Sequence, residues 1–516
     1  MEKKNGLVYD IHDRPKFGQL LVFALQQLLA ILAATILVPT IIGLPVQMPA
    51  ALFGAGVGTI LYLILTKFRS PVFLGSSFAF LGSLGTAVAY GYLGIILGSI
   101  FAGLVYIIIA IVIHFAGTAW VSKLLPPVII GPTVALIGLS LAGNAMTDIV
   151  EASVVSTHGG YNLLALLCGL VAFFVIVICS TQKKFKMPRL IPFIIGIVAG
   201  YALAAFFTVI GTAANVDYLK IINFQPIIDN FVNADGTFKG IVAFFNYPDF
   251  ALIEGIKELV TGEAQIEGAT LLNWGGVAEV AIAFIPVALV VFAEHIADHK
   301  NLSSIVGKDL IADPGLKRTL LGDGIGSIAG TVFGVCPNTT YGESVGCVAI
   351  TKNASVITIF VTALMCMAVS FLSPLMAILR TIPDCVMGGV CLTLYGFIAV
   401  SGLKMFKDVD LGDNKNLFVV AAILISGIGG LTLQIPYSDQ LAYNDAGVAT
   451  GFANVITVTS IATALILGIV TNAILTAIEK SKLGKEDGEE AQAEETQADE
   501  VQAEADTTVA EEQTNE

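Results

Sequence analysis

The chain has 516 residues, of which 56% are hydrophobic and 13% are charged, and its mean hydropathy is +0.84. These values exclude an ordinary soluble globular protein and indicate a polytopic membrane protein, for which we expect the lipid bilayer and no nucleic acid as a partner. The formal net charge of −14 belongs almost entirely to the C-terminal tail, because Glu486 to Glu516 contains thirteen Asp or Glu residues and no Lys or Arg.

Apolar windows of about 20 residues predict twelve membrane-spanning helices after an N-terminal segment of residues 1–16. They lie near 17–43, 48–66, 93–116, 126–144, 161–181, 188–211, 276–298, 317–335, 355–378, 385–403, 415–435 and 451–478. Two further stretches, 71–90 and 337–352, are short, rich in Gly and Ser, and carry polar groups that lipid-facing helices avoid. Irregular backbone is tolerated at membrane depth only inside protein or beside a cavity. Counting both stretches gives fourteen crossings.

The crossings fall into two halves, 17–211 and 275–478, separated by a polar excursion over 212–274 and followed by a tail over 479–516. Each half has seven crossings, and because seven is odd the halves have opposite orientations, which is inverted-repeat geometry. Weak internal similarity between Pro126–Gly131 and Pro383–Gly388 supports the repeat. The tail is acidic and lacks aromatic residues, so it is expected to be disordered.

Lys and Arg residues concentrate in alternate predicted loops, with Arg380 as an exception. By the positive-inside rule this pattern places both termini in the cytoplasm and the 212–274 excursion outside the cell. The chain is therefore expected to be a multi-pass protein of the cell membrane.

Two carboxylates, Glu294 and Asp298, lie one helical turn apart at the end of a long apolar run, and Glu343 lies in the second interrupted stretch. An ionisable side chain inside a membrane span costs about 2.5 kcal/mol or more and usually marks a substrate or proton pathway. The plainer alternative is that neighbouring helices satisfy these acids structurally. Two separated intramembrane acids nevertheless favour a binding site.

The seven cysteines and five histidines have no spacing typical of a metal or redox site. No nucleophile and base accompany Glu294 in the sequence, which disfavours an intramembrane enzyme. We expect no cofactor and no metal.

Four motifs are distributed over the two halves, namely Leu74-Gly-Ser-Ser-Phe-Ala-Phe80, Phe292-Ala-Glu-His295, Lys308-Asp-Leu followed by Asp313-Pro-Gly-Leu316, and Pro337-Asn-Thr-Thr-Tyr-Gly-Glu343. They resemble the uracil permeases of the nucleobase–cation symporter-2 (nucleobase–ascorbate transporter) family, and the resemblance covers roughly residues 15 to 480. The resemblance implies an all-α fold of fourteen segments in 7+7 inverted repeats, with short antiparallel strands in segments 3 and 10. It also implies a core domain of segments 1–4 and 8–11, a gate domain of segments 5–7 and 12–14, and a homodimer.

Uracil is a neutral ring with two N–H donors and two carbonyl acceptors, so its site needs acceptors and donors. The resemblance implies that Glu294 and Glu343 accept hydrogen bonds from the ring N–H groups, while the backbone N–H groups of Phe78 and Gly342 face its carbonyls. Apolar walls are expected from Ala34, Tyr341 and the Phe78 ring, and Tyr395 resembles a family tyrosine near the substrate.

A neutral substrate draws no energy from the membrane potential, whereas a proton moving with it does. We expect Glu294, with Asp298 nearby and Glu343 opposite, to couple proton and uracil uptake.

The chain departs from the family pattern at several positions. Asp298 stands where many uracil permeases have His, and Gln26-Gln27 stands where the family has a Gln-His pair. Ser344 and Lys352 stand where Asn and Arg are frequent. These departures leave substrate choice open.

The alternative within the family is a xanthine or urate permease, whose members tend to have an amide in place of Glu343. A channel or a membrane sensor is the alternative from another class. Anion transporters of solute carrier family 26 share the architecture, but an acid-lined centre is unfavourable for an anion.

Overall fold

The protein is described by a computed structural model that covers residues 6–151, 161–184, 188–189, 191–245, 247–436, 441–443, 449–452 and 455–481. The predicted acidic tail, except for its first residues, and parts of the predicted loops after Asn144 and Pro436 lie outside the described residues. The helices are α1 Phe17–Ile41, α2 Met48–Leu65, α3 Leu81–Val88, α4 Gly91–Ala116, α5 Ala119–Leu124, α6 Pro127–Ser140, α7 Ala142–Asp148, α8 Leu163–Thr181, α9 Pro192–Ala214, α10 Gln225–Phe231, α11 Ala251–Thr261, α12 Trp274–Val306, α13 Leu316–Phe333, α14 Gly342–Thr351, α15 Val356–Val369, α16 Ser373–Arg380, α17 Asp384–Lys404, α18 Asn414–Ile428 and α19 Ser460–Ser481.

Six short strands accompany the helices within these ranges, and each pairs antiparallel with one other strand. Two of them, β1 Leu74–Ser76 and β2 Asn338–Thr340, lie in the two interrupted stretches, as predicted. The other four lie between α18 and α19, namely β3 Leu433–Pro436, β4 Leu441–Tyr443, β5 Ala449–Phe452 and β6 Val455–Val458. The sequence windows did not predict these four strands.

The predominantly helical architecture is confirmed, with differences at some helix ends. The predicted helix over 451–478 begins only at Ser460, because the preceding β-branched residues form β6. The predicted helix over 355–378 is divided into α15 and α16, and Pro374 lies in the first turn of the second piece. Helix α9 ends at Ala214 rather than at 211, and α12 continues eight residues beyond the predicted end at 298.

Nine helices of the described chain are long and apolar enough to cross a membrane, and three shorter apolar helices accompany them. Helix α13 is not among these because Lys317, Arg318 and Asp323 lower its hydropathy. The chain is therefore a multi-pass membrane protein. The count of fourteen crossings and the exact 7+7 division remain predictions.

The two interrupted stretches have related local structures. After β1, the chain forms a 3₁₀ turn over Phe78–Phe80 and then α3, whereas β2 leads directly into α14. The strands pair with Leu74 opposite Thr340, Gly75 opposite Thr339 and Ser76 opposite Asn338, and all six residues are buried. Because the strands are antiparallel, the turn at Phe78 and the beginning of α14 leave the buried strand pair at opposite ends.

Helix packing falls mainly into two groups. In one group, α2 packs on α13 and α15, while α4 packs on α12 and α13. In the other group, α17 packs on α6 and α8, and α8 also packs on α9. These two groups are in line with the predicted core and gate domains, and the division itself is a proposal.

The crossing of α2 and α13 depends on glycines. A Cβ atom placed on Gly54 would lie 2.1 Å from the backbone oxygen of Gly330, and one on Gly58 would lie 2.6 Å from the oxygen of Gly326. Small residues at helix contacts allow backbones to approach closely inside a membrane, where dispersion contacts provide much of the packing energy. This crossing holds β1 and β2 in place, since Asn338 of β2 donates a hydrogen bond from Nδ2 to the Gly54 oxygen over 3.1 Å.

We expect Gly54→Ala to lower the free energy of unfolding by about 1–3 kcal/mol, because the added methyl group forces the two backbones apart. Thermal unfolding of the purified protein in detergent measures the effect. The matched control is Gly18→Ala on α1, where an added Cβ meets nothing within 4 Å among the described residues. Equal stability of the two variants would contradict the close crossing.

Candidate functional site

The long helix α12 carries the first two predicted acids past the strand pair. Glu294 is partly buried, and within the described residues its Oε2 atom is buried with no hydrogen-bonding partner. Electrostatic interactions connect Glu294 with Asp298, Asp323 and Glu343. Because a buried carboxylate oxygen without a partner is rare in native proteins, Glu294 has a hydrogen-bond acceptor available for a ligand.

The third predicted acid lies at the beginning of α14. Glu343 is partly buried in the first turn of this helix, directly after Gly342. The first N–H groups of a helix have no carbonyl partner within their own helix. A Cβ atom on Gly342 would meet nothing within 4 Å among the described residues, so the backbone is open to a ligand on that side.

The aromatic residues predicted as walls lie around the strand pair. Tyr341 is buried, donates a hydrogen bond from its hydroxyl to the Ser76 oxygen over 2.8 Å, and packs its ring on Gly75. Phe78 begins the 3₁₀ turn after β1, and its ring meets that of Tyr395 edge to face, with centroids 5.8 Å apart. The structure therefore brings Phe78 and Tyr395 into contact, although they come from opposite halves of the chain.

Ala34 is buried on α1, which packs on both β1 and α14. The packing of α1 on β1 is compatible with the predicted role of Ala34 as an apolar wall. The role itself remains a prediction.

Asp298 is buried and anchored to the strand pair rather than free. Thr340 of β2 donates a hydrogen bond from Oγ1 to Asp298 Oδ2 over 2.7 Å. Thr340 lies opposite Leu74 in the strand register. Asp298 thus connects α12 to β2, one turn beyond Glu294.

A polar cluster that the motif-based prediction missed lies behind these acids. Asp323 of α13 is fully buried, and its Oδ2 lies 2.7 Å from Nδ1 of His295, whose Nε2 lies 3.0 Å from Thr319 Oγ1. The signal in the sequence is Asp323 itself, a further acid inside a predicted membrane-spanning window, which stands between two glycines and follows the charged Lys317 and Arg318.

The second histidine of the cluster has a defined tautomer. His299 Nδ1 lies 2.8 Å from the His295 carbonyl oxygen, which can only accept, so Nδ1 carries a hydrogen. Nε2 of His299 lies 2.8 Å from the Tyr62 hydroxyl, which in turn lies 2.8 Å from Ser70 Oγ. The two imidazole rings stack with centroids 4.1 Å apart. Two charged rings at this distance would repel strongly in a buried region, so at most one is charged.

Two of the departures from the family pattern contact each other. Gln27 of α1 donates a hydrogen bond from Nε2 to Ser344 Oγ over 2.5 Å, and both residues are buried. The Phe73 N–H also approaches Ser344 Oγ, at 3.4 Å. The two replacements therefore form one polar contact beside Glu343.

Comparison with known proteins identifies the family. The profile described as "Permease family" matches residues 18–435. The chain belongs to the nucleobase–cation symporter-2 family of permeases. The uracil permease of Bacillus caldolyticus is 38% identical to this permease over 440 residues, which are 85% of this chain and 91% of the relative. The uracil permease of Bacillus subtilis (strain 168) is 34% identical over 469 residues, covering 90% and 94% of the two chains.

A solved structure supports the fold of this permease. The murine solute carrier 26 family member A9 anion transporter, in its inward-facing state, aligns with a TM-score of 0.54 over 90% of this chain and 69% of that chain. The sequence identity is 11%, so the similarity concerns the fold alone. A transporter architecture is therefore shared with proteins of very different sequence.

We expect Gln27 and Ser344 to stabilise this permease as a pair. Gln27→Ala and Ser344→Ala should each lower the unfolding temperature in detergent, and the double variant should lose less than the sum of the two. The expected coupling is about 0.5–1.5 kcal/mol, the net contribution of one buried hydrogen bond. Strict additivity of the two substitutions would argue against the contact.

Proposed function

We propose that this permease carries uracil into the cell together with a proton, across the cell membrane. The observation that carries the proposal is the buried Oε2 atom of Glu294, which has no hydrogen-bonding partner among the described residues and belongs to α12, the helix that packs on α14, where Glu343 lies. The uracil permease names of its relatives support the choice of substrate. Both termini are proposed to be cytoplasmic and the protein to be a homodimer.

Recognition follows from the donors and acceptors of the ring. In the proposed complex, Glu294 and Glu343 accept hydrogen bonds from the two ring N–H groups. The N–H groups of Phe78 and Gly342 donate to the ring carbonyls, because each begins a helical turn and lacks an intrahelical partner. The partial positive charge at the beginning of α14 favours an electron-rich carbonyl there. Tyr341, Ala34 and the edge-to-face pair of Phe78 and Tyr395 enclose the ring.

The clustering of four acidic side chains favours coupling to a proton. Glu294, Asp298, Asp323 and Glu343 interact electrostatically within one buried region. Like charges repel strongly where the dielectric constant is low, so ionising all four together is unfavourable and the region favours binding of a proton. We assign the transported proton to Glu294, assisted by Asp298 and Glu343. The core then moves against the gate and releases proton and uracil inside.

The same charges disfavour an anion as substrate. A ligand with a negative charge would have to enter a region lined by carboxylates, whereas uracil is neutral and offers hydrogen-bond donors. The fold similarity to an anion transporter therefore does not extend to the proposed substrate.

We expect Glu294→Gln to abolish accumulation of uracil driven by a pH gradient, because an amide cannot bind and release a proton at physiological pH. Uptake of radiolabelled uracil into proteoliposomes, with and without an imposed gradient, measures this loss. The matched control is Glu279→Gln on the same helix. Glu279 lies outside the acid cluster and accepts a hydrogen bond of 2.6 Å from the Tyr90 hydroxyl. Accumulation at the unaltered level by Glu294→Gln would refute the proton assignment.

We expect Glu343→Gln to weaken uracil binding by about 1.5–3 kcal/mol, which is tenfold or more in Kd, because a charge-assisted hydrogen bond is lost. Equilibrium binding of labelled uracil to the purified protein measures Kd. Unlabelled xanthine, added to the unaltered protein, tests substrate choice in the same assay. Displacement by xanthine at lower concentration than by unlabelled uracil would favour a purine permease instead.

A further inference from the structure

Helix α11, in the excursion between the two halves, has its polar and apolar faces reversed relative to a helix on a water-exposed surface. Its buried residues include the acids Glu254 and Glu258, together with Ala251 and Gly255. Five of the exposed residues are apolar, namely Leu252, Ile253, Ile256, Leu259 and Val260, and the other two are Lys257 and Thr261. We call these five residues the apolar face of α11. They recur at the spacing of one side of a helix.

The apolar face is strongly exposed. Leu259 is 70% exposed and Val260 is 81% exposed. A contiguous apolar surface of this kind is unusual on a protein surrounded by water and marks contact with a membrane or a partner. The depth of α11 relative to the membrane-spanning helices decides between contact with a membrane and contact with a partner.

Hydrogen bonds fix the depth of α11. The Glu258 carboxylate is buried and accepts hydrogen bonds from the N–H groups of Tyr92 and Leu93, over 3.0 and 3.1 Å, at the beginning of the membrane-spanning helix α4. It also accepts from the Gln265 N–H over 3.1 Å. Gly91 allows the approach, because its φ of +69° suits glycine and a Cβ there would lie 2.2 Å from Glu258 Oε1. Helix α11 therefore lies level with the end of a membrane span.

Neighbouring residues agree with this depth. Gly255 packs on the side chains of Leu93 and Ile96 of α4, so α11 lies along the end of that span. Trp274, the first residue of the membrane-spanning helix α12, is 89% exposed. Exposed Trp residues are enriched where a span meets the lipid head groups. The Thr270 N–H donates to the Ala89 oxygen over 2.9 Å, which joins the approach to α12 with the beginning of α4.

We propose that α11 is an interfacial helix, whose apolar face inserts into the lipid leaflet on the side of the 212–274 excursion. Lys257 lies at the edge of the apolar face, where it pairs with Glu254 over 2.6 Å and faces the polar head groups. The hydrogen bonds of Glu258 attach α11 to the beginning of α4. Insertion of the apolar face into the leaflet therefore also fixes the depth of α4 in the membrane. The ligand class is the acyl chain of a membrane lipid, and the binding surface is the apolar face.

Fluorescence quenching in proteoliposomes tests the proposal directly. A tryptophan is introduced by Val260→Trp, at an exposed site where the larger ring displaces no packed neighbour. The matched control is Glu267→Trp, at an exposed polar position outside α11. The protein has two native tryptophans, so the signal of each variant is taken as its difference from the unaltered protein in the same lipid.

We expect lipids brominated near the head-group end of their acyl chains to quench the Val260→Trp signal more strongly than the Glu267→Trp signal, and aqueous iodide to show the opposite order. Iodide quenching of Val260→Trp as strong as that of the control, without quenching by brominated lipid, would place the face in water and overturn the proposal. Protection from both quenchers would also overturn it, because a protein surface, such as a second copy of this chain, would then cover the face.

Discussion

Backbone groups in the apolar interior of a membrane protein must find partners inside the protein, and at β1 and β2 they find them in each other. The pairing of Leu74–Ser76 with Asn338–Thr340 joins the two halves of the chain where each is interrupted. The site depends on this pairing. It fixes the two strand ends from which the turn at Phe78 and α14 begin, and it gives Thr340 the position from which it holds Asp298 of α12.

Close helix contacts maintain the strand pair, and polar contacts then specify its surroundings. Glycines at the crossing of α2 and α13 let Asn338 reach the backbone of α2. Gln27 and Ser344 connect α1 with α14 beside Glu343, and the cluster of Asp323, His295 and Thr319 connects α13 with α12. Beside these contacts, Oε2 of Glu294 is buried with no hydrogen-bonding partner among the described residues and is available as an acceptor, as is Oδ1 of Asp323 in the cluster behind it.

Much of the fold and part of the site were predictable from the sequence, for physical reasons. Long apolar windows located the helices, and Gly-rich interruptions located β1 and β2, because neither signal depends on distant residues. Glu294 and Glu343 were recognisable because charge inside a membrane is costly.

The hydrogen-bonding partners of these acids were harder to predict. That Thr340 bonds Asp298, or that Asp323 pairs with His295, depends on how separate helices pack, and a single sequence does not encode this as a local pattern. The strands between α18 and α19 were missed because a short apolar run rich in β-branched residues fits a helix or a strand. The reversed faces of α11 likewise became visible only once Glu254 and Glu258 were seen to be buried.

The most direct test of the central claim is an experimental structure of the protein with uracil bound. The account predicts density for the ring between the beginning of α14 and the turn at Phe78, with carboxylate oxygens of Glu294 and Glu343 at hydrogen-bonding distance from its two N–H groups. Uracil bound elsewhere, or at this place with the two carboxylates turned away from it, would contradict the account.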